Sequence, residues 1–176
     1  HFAAGFVPDK GKCIPGDELL ERLNTVISAE GNFPWHVAFH PYPENLFEPR
    51  FWNDKTAVLG FDTPRITFKN IEVLPAFLSQ ERFLYRDQPR RIILSEQGLH
   101  CPDGPEGEQV QAAAYAYAYY KLSRIPQIDA FILHRHVDHR AEGGLHLGLW
   151  SCKPDGDNPS APDRKRLIWD VFRLAD

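Results

Sequence analysis

A cluster of imidazole and carboxylate side chains directly follows an apolar run in the last third of the sequence. The segment FILHRHVDHRAEGG, at positions 131 to 144, places His134, His136, Asp138 and His139 in an H-x-H-x-D-H pattern. Neutral imidazoles and carboxylates are common zinc ligands in proteins. At this spacing His134 and His136 can bind one metal ion, and Asp138 and His139 can bind a second. A metal-dependent hydrolase is therefore one hypothesis for the function.

The remainder of the sequence argues against this metal site. The motif resembles that of metallo-β-lactamase-type hydrolases, and this resemblance requires a further His, an Asp and a final His well downstream. His146 is the one histidine that follows His139, and it lies too close in sequence to serve. Arg135 also places a cation between the first two histidines. We therefore predict no metal and no other cofactor, and we keep the metal-dependent hydrolase as an alternative.

Two other apolar runs also end in polar residues. Glu96 and Gln97 lie at the end of RRIILSEQG, at positions 90 to 98, and His40 and Tyr42 follow the run WHVAF. Proline between His40 and Tyr42 restricts the backbone and so helps to aim both side chains. A carboxylate at the end of a strand is well placed for catalysis, although a neighbouring arginine or the loop could equally satisfy Glu96.

The apolar pattern predicts the elements that position these residues. Helices are expected from Asp17, as N-cap, to Gly31, over 71–78, over 108–124 and from a start signal at Ser160, Pro162 and Asp163. Strands are expected over 35–39, 90–98 and 128–133, while 145–150 fits a strand or a loop. The tyrosines between 115 and 120 are predicted to pack the third helix against its neighbours.

Helices and short apolar strands therefore alternate along the chain. This order predicts an α/β fold with a parallel sheet covered by helices, in a single domain over 1–176. Ligands in such folds gather at the carboxyl ends of the strands. The three groups of polar residues are thus expected at one edge of the sheet.

Together, these three strand ends resemble the last three strands of a glycoside-hydrolase (β/α)8 barrel of clan A. The phrases WHVAFHPYP, RRIILSEQG and IDAFILHRHVDH with GLHLGLW carry the likeness, over about residues 33–174. The same segments resemble even more closely an uncharacterised family of bacterial barrel proteins that is related to these hydrolases. The resemblance implies the C-terminal portion of a TIM barrel, about its last three β/α units, with His1 and Phe2 ending the fifth strand. Three strands cannot close a barrel, so the remaining barrel half would come from a missing N-terminal region.

The resemblance also implies roles for the strand-end residues. The clan's catalytic nucleophile is a Glu at the end of the seventh strand, which matches Glu96, and a His-x-Tyr after the sixth strand matches His40 and Tyr42. The substrate would be a poly- or oligosaccharide, cleaved with retention of configuration. Further substrate contacts are expected from aromatic and polar side chains along the same edge: Trp52, Gln97, His134, Arg135, Asp138 and Trp150.

The second carboxylate of a retaining glycosidase, the acid/base, follows the fourth strand in that clan and would lie outside this chain. Within the chain, the candidate neighbours of Glu96 are Asp138, Glu142 and Glu44. A third hypothesis is a catalytically silent carbohydrate-binding barrel, in which Glu96→Gln would change only affinity for the sugar.

The composition and net charge of the chain limit the binding partners and the cellular location that we expect. A net charge of −4 without a basic block disfavours nucleic-acid binding, and no apolar run approaches the ~20 residues of a membrane span. The cysteines Cys13, Cys101 and Cys152 form no C-x-x-C pair and are compatible with one disulfide or with three thiols. Because the sequence opens with HFAAGFV, as if the end of a secondary-structure element had been cut, we expect a piece of a longer protein. An extracellular or periplasmic location is favoured.

Overall fold

The structure, a computed structural model, describes residues 2–3 and 12–175. Its helices are α1 (Gly16–Ala29), α2 (Val73–Leu78), α3 (Gly107–Leu122) and α4 (Leu167–Ala175). Its strands are β1 (Val37–Phe39), β2 (Ile92–Gln97), β3 (Ile128–Leu133), β4 (Trp150–Cys152) and β5 (Pro162–Lys165). Three single-turn 3-10 helices lie at Phe51–Asn53, Phe68–Asn70 and Glu81–Phe83.

The first three strands form one parallel sheet in the order β1-β2-β3. Val37 pairs with Ile92 across β1 and β2, and Ile93 pairs with Ala130 across β2 and β3. Neighbours in the sheet are also neighbours in chain order, and α3 is the crossover that returns the chain from β2 to β3. The predicted α/β class with a parallel sheet is therefore confirmed.

Only one face of this sheet is buried. Ile92 and Leu94 on β2 are fully buried, whereas Ile93 between them is 38% exposed and Ile132 on β3 is 53% exposed. Because successive side chains of a strand point to opposite faces, Ile93 and its register partners Ala38 and Ala130 lie on the open face. The predicted covering of the sheet by helices therefore holds for one face, while the other face is open among the described residues.

The covered face packs against one continuous apolar core that includes residues from α1 to α4. The alanines of α3 allow close packing, since Ala114 and Ala118 are fully buried. Tyr115 stacks on Phe131 of β3 with ring centroids 5.3 Å apart and lies 5.8 Å from the ring of Phe172 on α4. The predicted packing role of the tyrosine-rich helix is confirmed for Tyr115.

The C-terminal region differs from the prediction. The start signal at Ser160, Pro162 and Asp163 does not begin a helix, because Pro162–Lys165 pairs antiparallel with Trp150–Cys152. The helix α4 begins at Leu167, whose backbone N–H donates to Glu108 Oε2 at 3.0 Å. The cap of α4 therefore comes from a residue distant in sequence, which local pattern cannot indicate.

The ends of α1 also lie elsewhere than expected. Pro15, rather than Asp17, is its N-cap, and the helix ends at Ala29. The backbone N–H of Phe2 donates to Pro64 O at 2.9 Å, which ties the start of the chain to the long loop after β1. His1 lies outside the described residues.

Cys13, Cys101 and Cys152 are free thiols. Within the described ranges, no helix has the length and apolar character that crossing a membrane requires.

Candidate functional site

Two hydrogen bonds join the carboxyl ends of β1 and β2. His40 Nε2 lies 3.0 Å from Ser95 Oγ, and Tyr42 Oη donates to Glu96 Oε1 at 3.0 Å. Residues that are about 55 positions apart in sequence meet here because Phe39 and Leu94 are paired in the parallel register. The structure thus places Tyr42 against Glu96 and His40 against the neighbouring Ser95, at the edge of the sheet where the strands end.

Tyr42 is held as a neutral hydrogen-bond donor. Its burial, the hydrogen bond to Glu96 and the negative charges of Glu96 and Glu142 all raise the pKa of Tyr42 far above its usual value. Ionisation would place a phenolate beside two carboxylates, which is unfavourable. The charge of Glu142 is the smallest of these causes and adds to the effect of Glu96 on the same hydroxyl.

Glu96 is exposed and makes no ion pair among residues 2–3 and 12–175. The two arginines that could have neutralised it lie at the other end of β2. Arg90 is buried and donates to Phe83 O at 2.6 Å and Phe33 O at 3.0 Å, while Arg91 pairs with Asp129. The carboxylate of Glu96 is consequently accessible, oriented by Tyr42 and otherwise uncommitted.

The end of β3 supplies a second carboxylate, Glu142, held between two side chains. His134 Nε2 lies 2.6 Å from Glu142 Oε1, and Arg135 Nη1 donates to Glu142 Oε2 at 3.1 Å. The backbone N–H of His134 donates to Gln97 O at 2.8 Å, so the cluster is anchored to the end of β2. Sequence reasoning named Glu142 only as one of three neighbours, because it lies in a loop eight residues beyond His134.

Asp138 has a structural role that differs from the predicted substrate contact. Its side chain is almost fully buried, and it accepts from Gly148 N at 2.6 Å and from Arg166 Nη2 at 2.5 Å. Burial alone would lower the pKa of Arg166, but the hydrogen bond and charge of Asp138 outweigh it and raise the pKa. The pair fixes the loop after β3 against the segment before α4.

The H-x-H-x-D-H side chains do not converge on one point. His134 contacts Glu142, the ring of His136 lies edge-on to Trp169 at 6.2 Å, and His139 Nδ1 accepts from Ala141 N at 3.1 Å. Asp138 is bound by Arg166. Over the described part of the chain, no group of three or more His, Cys, Asp or Glu side chains could hold a metal ion. The geometry offers no support for the metal-dependent hydrolase.

Gln97 also differs from its predicted role. It is fully buried, and its Nε2 donates to Leu94 O at 3.3 Å and to Ile132 O. The side chain joins β2 to β3 where their register shifts. It therefore supports the strand pairing and is not available to a substrate in this structure.

The two tryptophans lie in different surroundings. The ring of Trp52 contacts Phe51 and Tyr117, with centroids 5.4 and 5.9 Å away, at the side of α3. Trp150 is half-buried on β4, 6.2 Å from the ring of Trp169, and its backbone N–H donates to His136 O at 3.0 Å. Their roles as sugar platforms remain predictions, and the contacts of Trp52 direct it toward α3.

A cavity of about 470 Å³ opens beside Tyr42. Its polar lining includes His40, Tyr42, Glu44, Arg65 and Thr67, and its apolar lining includes Phe2, Leu46 and Ile66. The Glu44 carboxylate is occupied, because its Oε2 accepts from the backbone N–H groups of Lys55 and Thr56. Sequence reasoning missed Arg65, which follows no apolar run and belongs to no motif.

Comparison with known proteins gives a family without an assigned activity. A family model described as a family of unknown function (DUF5722) matches residues 7–176. No curated protein and no solved structure matches the chain.

Proposed function

The chain belongs to the DUF5722 family, and from the geometry of its sheet edge we propose that it is the C-terminal part of a retaining glycoside hydrolase built on a (β/α)8 barrel. The observation that carries this proposal is the hydrogen bond of 3.0 Å from Tyr42 Oη to Glu96 Oε1. It holds an exposed carboxylate at the carboxyl edge of a parallel sheet, where barrel enzymes have their active sites.

Glu96 is the proposed nucleophile. Its carboxylate oxygen attacks the anomeric carbon of the sugar, the bond from that carbon to the leaving oxygen breaks, and a glycosyl ester forms. Water then attacks the anomeric carbon and releases the sugar and the Glu96 carboxylate. Tyr42 orients the attacking oxygen in the first step, and because its pKa is raised it stays protonated while doing so.

The acid/base of this mechanism must protonate the leaving oxygen and later take a proton from water. A retaining enzyme places the acid/base about 5–5.5 Å from the nucleophile. Asp138 is buried against Arg166, Glu44 is bound to backbone N–H groups, and Glu142 is held by His134 and Arg135. We therefore assign the acid/base to the barrel half that lies outside this chain.

The open face of the sheet supports a barrel completed by further polypeptide. The interior of a TIM barrel is filled by branched apolar side chains that point inward from its strands. Ile93 and Ile132 have this character, and both are partly exposed on the face opposite the helices. The strand order β1-β2-β3 without reversal is also that of neighbouring barrel strands.

A covalent trap tests the nucleophile directly. An activated 2-fluoro glycoside with a dinitrophenolate leaving group needs no acid catalyst, because the leaving group departs without a proton. Incubation of the protein that includes the complete barrel with a panel of such glycosides is expected to add one glycosyl mass, located at Glu96 by peptide mass spectrometry. Glu96→Gln is expected to abolish labelling and to lower turnover of aryl glycosides by at least about 10⁴-fold.

The matched control is Glu30→Gln, which replaces an exposed carboxylate just beyond α1 and is expected to keep full activity. Labelling at another residue, or full turnover by Glu96→Gln, would remove Glu96 from the nucleophile role. Sugar binding by the wild-type protein without labelling or turnover would instead indicate the non-catalytic carbohydrate-binding barrel.

A further inference from the structure

Arg65 lines the cavity beside Tyr42, and its guanidinium has no strong hydrogen-bond partner among residues 2–3 and 12–175. The side chain of Arg65 makes one hydrogen bond within the described ranges, from Nη1 to Glu44 O at a long 3.4 Å. An arginine presents five N–H donors in a planar fork that matches a carboxylate bidentately. Most of these donors remain available on a half-buried side chain that lines the cavity.

Among the described residues, the nearby carboxylate of Glu44 forms no ion pair with Arg65, although the charge of Arg65 is one of the smaller causes that lower the pKa of Glu44. Glu44 Oε2 accepts from Lys55 N at 2.8 Å and from Thr56 N at 2.9 Å. The hydrogen bond from Thr56 is the main cause that lowers the pKa of Glu44, so its charge is already stabilised by the backbone. Arg65 therefore keeps N–H donors that its one hydrogen bond to Glu44 O does not use.

The other walls suit a sugar ring. Phe2, Leu46 and Ile66 offer apolar surface to the C–H faces of a pyranose, while His40 and Tyr42 offer polar atoms to its hydroxyl groups. The volume of about 470 Å³ lies within the roughly 300–1,000 Å³ of small-ligand sites. Tyr42 lines the cavity and donates to Glu96, which is not itself part of the lining, so Tyr42 connects this cavity to the proposed nucleophile.

We propose that this cavity is a subsite for an acidic sugar, a hexuronate whose carboxylate is bound by Arg65. This inference rests on the proposed glycosidase function for the position of the ring relative to Glu96. The residues that carry the proposed binding step, Arg65, His40 and Tyr42, all belong to this chain.

Binding of D-glucuronate, D-glucose and acetate to the chain is measured by isothermal titration calorimetry at low ionic strength. Glucuronate is expected to bind at least about tenfold more tightly than either glucose or acetate, because only glucuronate joins a ring to a carboxylate. Arg65→Gln is expected to abolish this preference. Arg65→Lys should keep part of it, since the charge remains while the fork is lost.

The matched control is Arg22→Gln, which removes an exposed arginine paired with Glu18 on α1 and should leave glucuronate binding unchanged. Circular dichroism of each variant verifies folding, and Arg65→Lys serves as the test if Arg65→Gln does not fold. Equal binding of glucuronate and glucose, equal binding of acetate, absence of glucuronate binding, or an undiminished preference in the Arg65 variants would each overturn the proposal.

The two proposals fail independently. Arg65-dependent glucuronate binding without covalent labelling of Glu96 would retain the subsite and reject the glycosidase. Labelling of Glu96 by neutral glycosides, together with no preference for glucuronate, would retain the glycosidase and reject the acidic subsite.

Discussion

The hydroxyl group of Tyr42 is expected to contribute to the rate of the proposed reaction, because it orients the carboxylate of Glu96. Tyr42→Phe in the complete protein removes only the donor of the 3.0 Å hydrogen bond to Glu96. A hydrogen bond to a charged group contributes about 1.5–3 kcal/mol, so kcat for an aryl glycoside is expected to fall about 10- to 100-fold.

Thermal unfolding of this variant should be nearly unchanged, because the aromatic ring is retained. Tyr120→Phe is the control, since Tyr120 is an exposed residue of α3, and its kcat should equal that of the wild type. Unchanged kcat in Tyr42→Phe would show that the hydroxyl does not orient the nucleophile.

The ion pair between Asp138 and Arg166 is expected to stabilise the fold and to take no part in the proposed catalysis. Asp138→Asn leaves the guanidinium of Arg166 buried without its counter-charge. Removing one partner of a buried ion pair costs about 3–5 kcal/mol, and the free energy of unfolding measured in urea should fall by that amount. Asp157→Asn, in an exposed loop, is the control and should change stability little. A loss below about 1 kcal/mol in Asp138→Asn would show that the pair is not what holds this loop.

At the scale of elements, the loop between β3 and β4 depends on a close approach of its backbone at Gly148. A Cβ at this position would lie 2.4 Å from Trp150 O and 2.5 Å from Asp138 N, and both atoms belong to the backbone. Neither can move without breaking the hydrogen bond from Asp138 N to Trp150 O. Gly148→Ala is therefore expected to destabilise the chain by about 3 kcal/mol, the upper end for overpacking.

Gly143→Ala separates this steric cost from the cost of backbone conformation. Gly143 has a φ of +64° and no atom within 4 Å of an added Cβ, so an alanine there should cost only about 1–2 kcal/mol. Equal losses in urea denaturation for the two variants would contradict the steric explanation for Gly148.

At the scale of the whole molecule, the open face of the sheet distinguishes a complete unit from part of a barrel. Ile132→Lys should change the stability of the isolated chain by less than about 0.5 kcal/mol, because the side chain is 53% exposed. In the protein that includes the remaining strands, the same change should cost about 2 kcal/mol or more, since it places a charge in the barrel interior.

Differential scanning calorimetry of both proteins makes this comparison. Leu174→Lys on α4 is the control, because Leu174 is 75% exposed and should tolerate the charge in both. A full-length protein as tolerant of Ile132→Lys as the isolated chain would mean that no strand covers this face.

The features that could be predicted from the sequence are those that depend on local pattern. Short apolar runs between helices predicted the three parallel strands, and β3 at Ile128–Leu133 lies where the pattern placed it. Because the carboxyl ends of parallel strands share one edge, the same pattern predicted that Tyr42 and Glu96 would lie at one edge of the sheet, and there the structure shows them hydrogen-bonded.

Contacts between side chains that are distant in sequence could not be predicted, because they depend on how the whole chain packs. Asp138 meets Arg166 across 28 positions, and the cap of α4 comes from Glu108, 59 positions before Leu167. The position of Arg65 in the lining of the cavity depends on how the long loop folds against β1. Periodicity and capping signals act over a few residues, whereas these contacts arise from packing, so no local pattern could indicate which polar residue would be buried, paired or left open to a ligand.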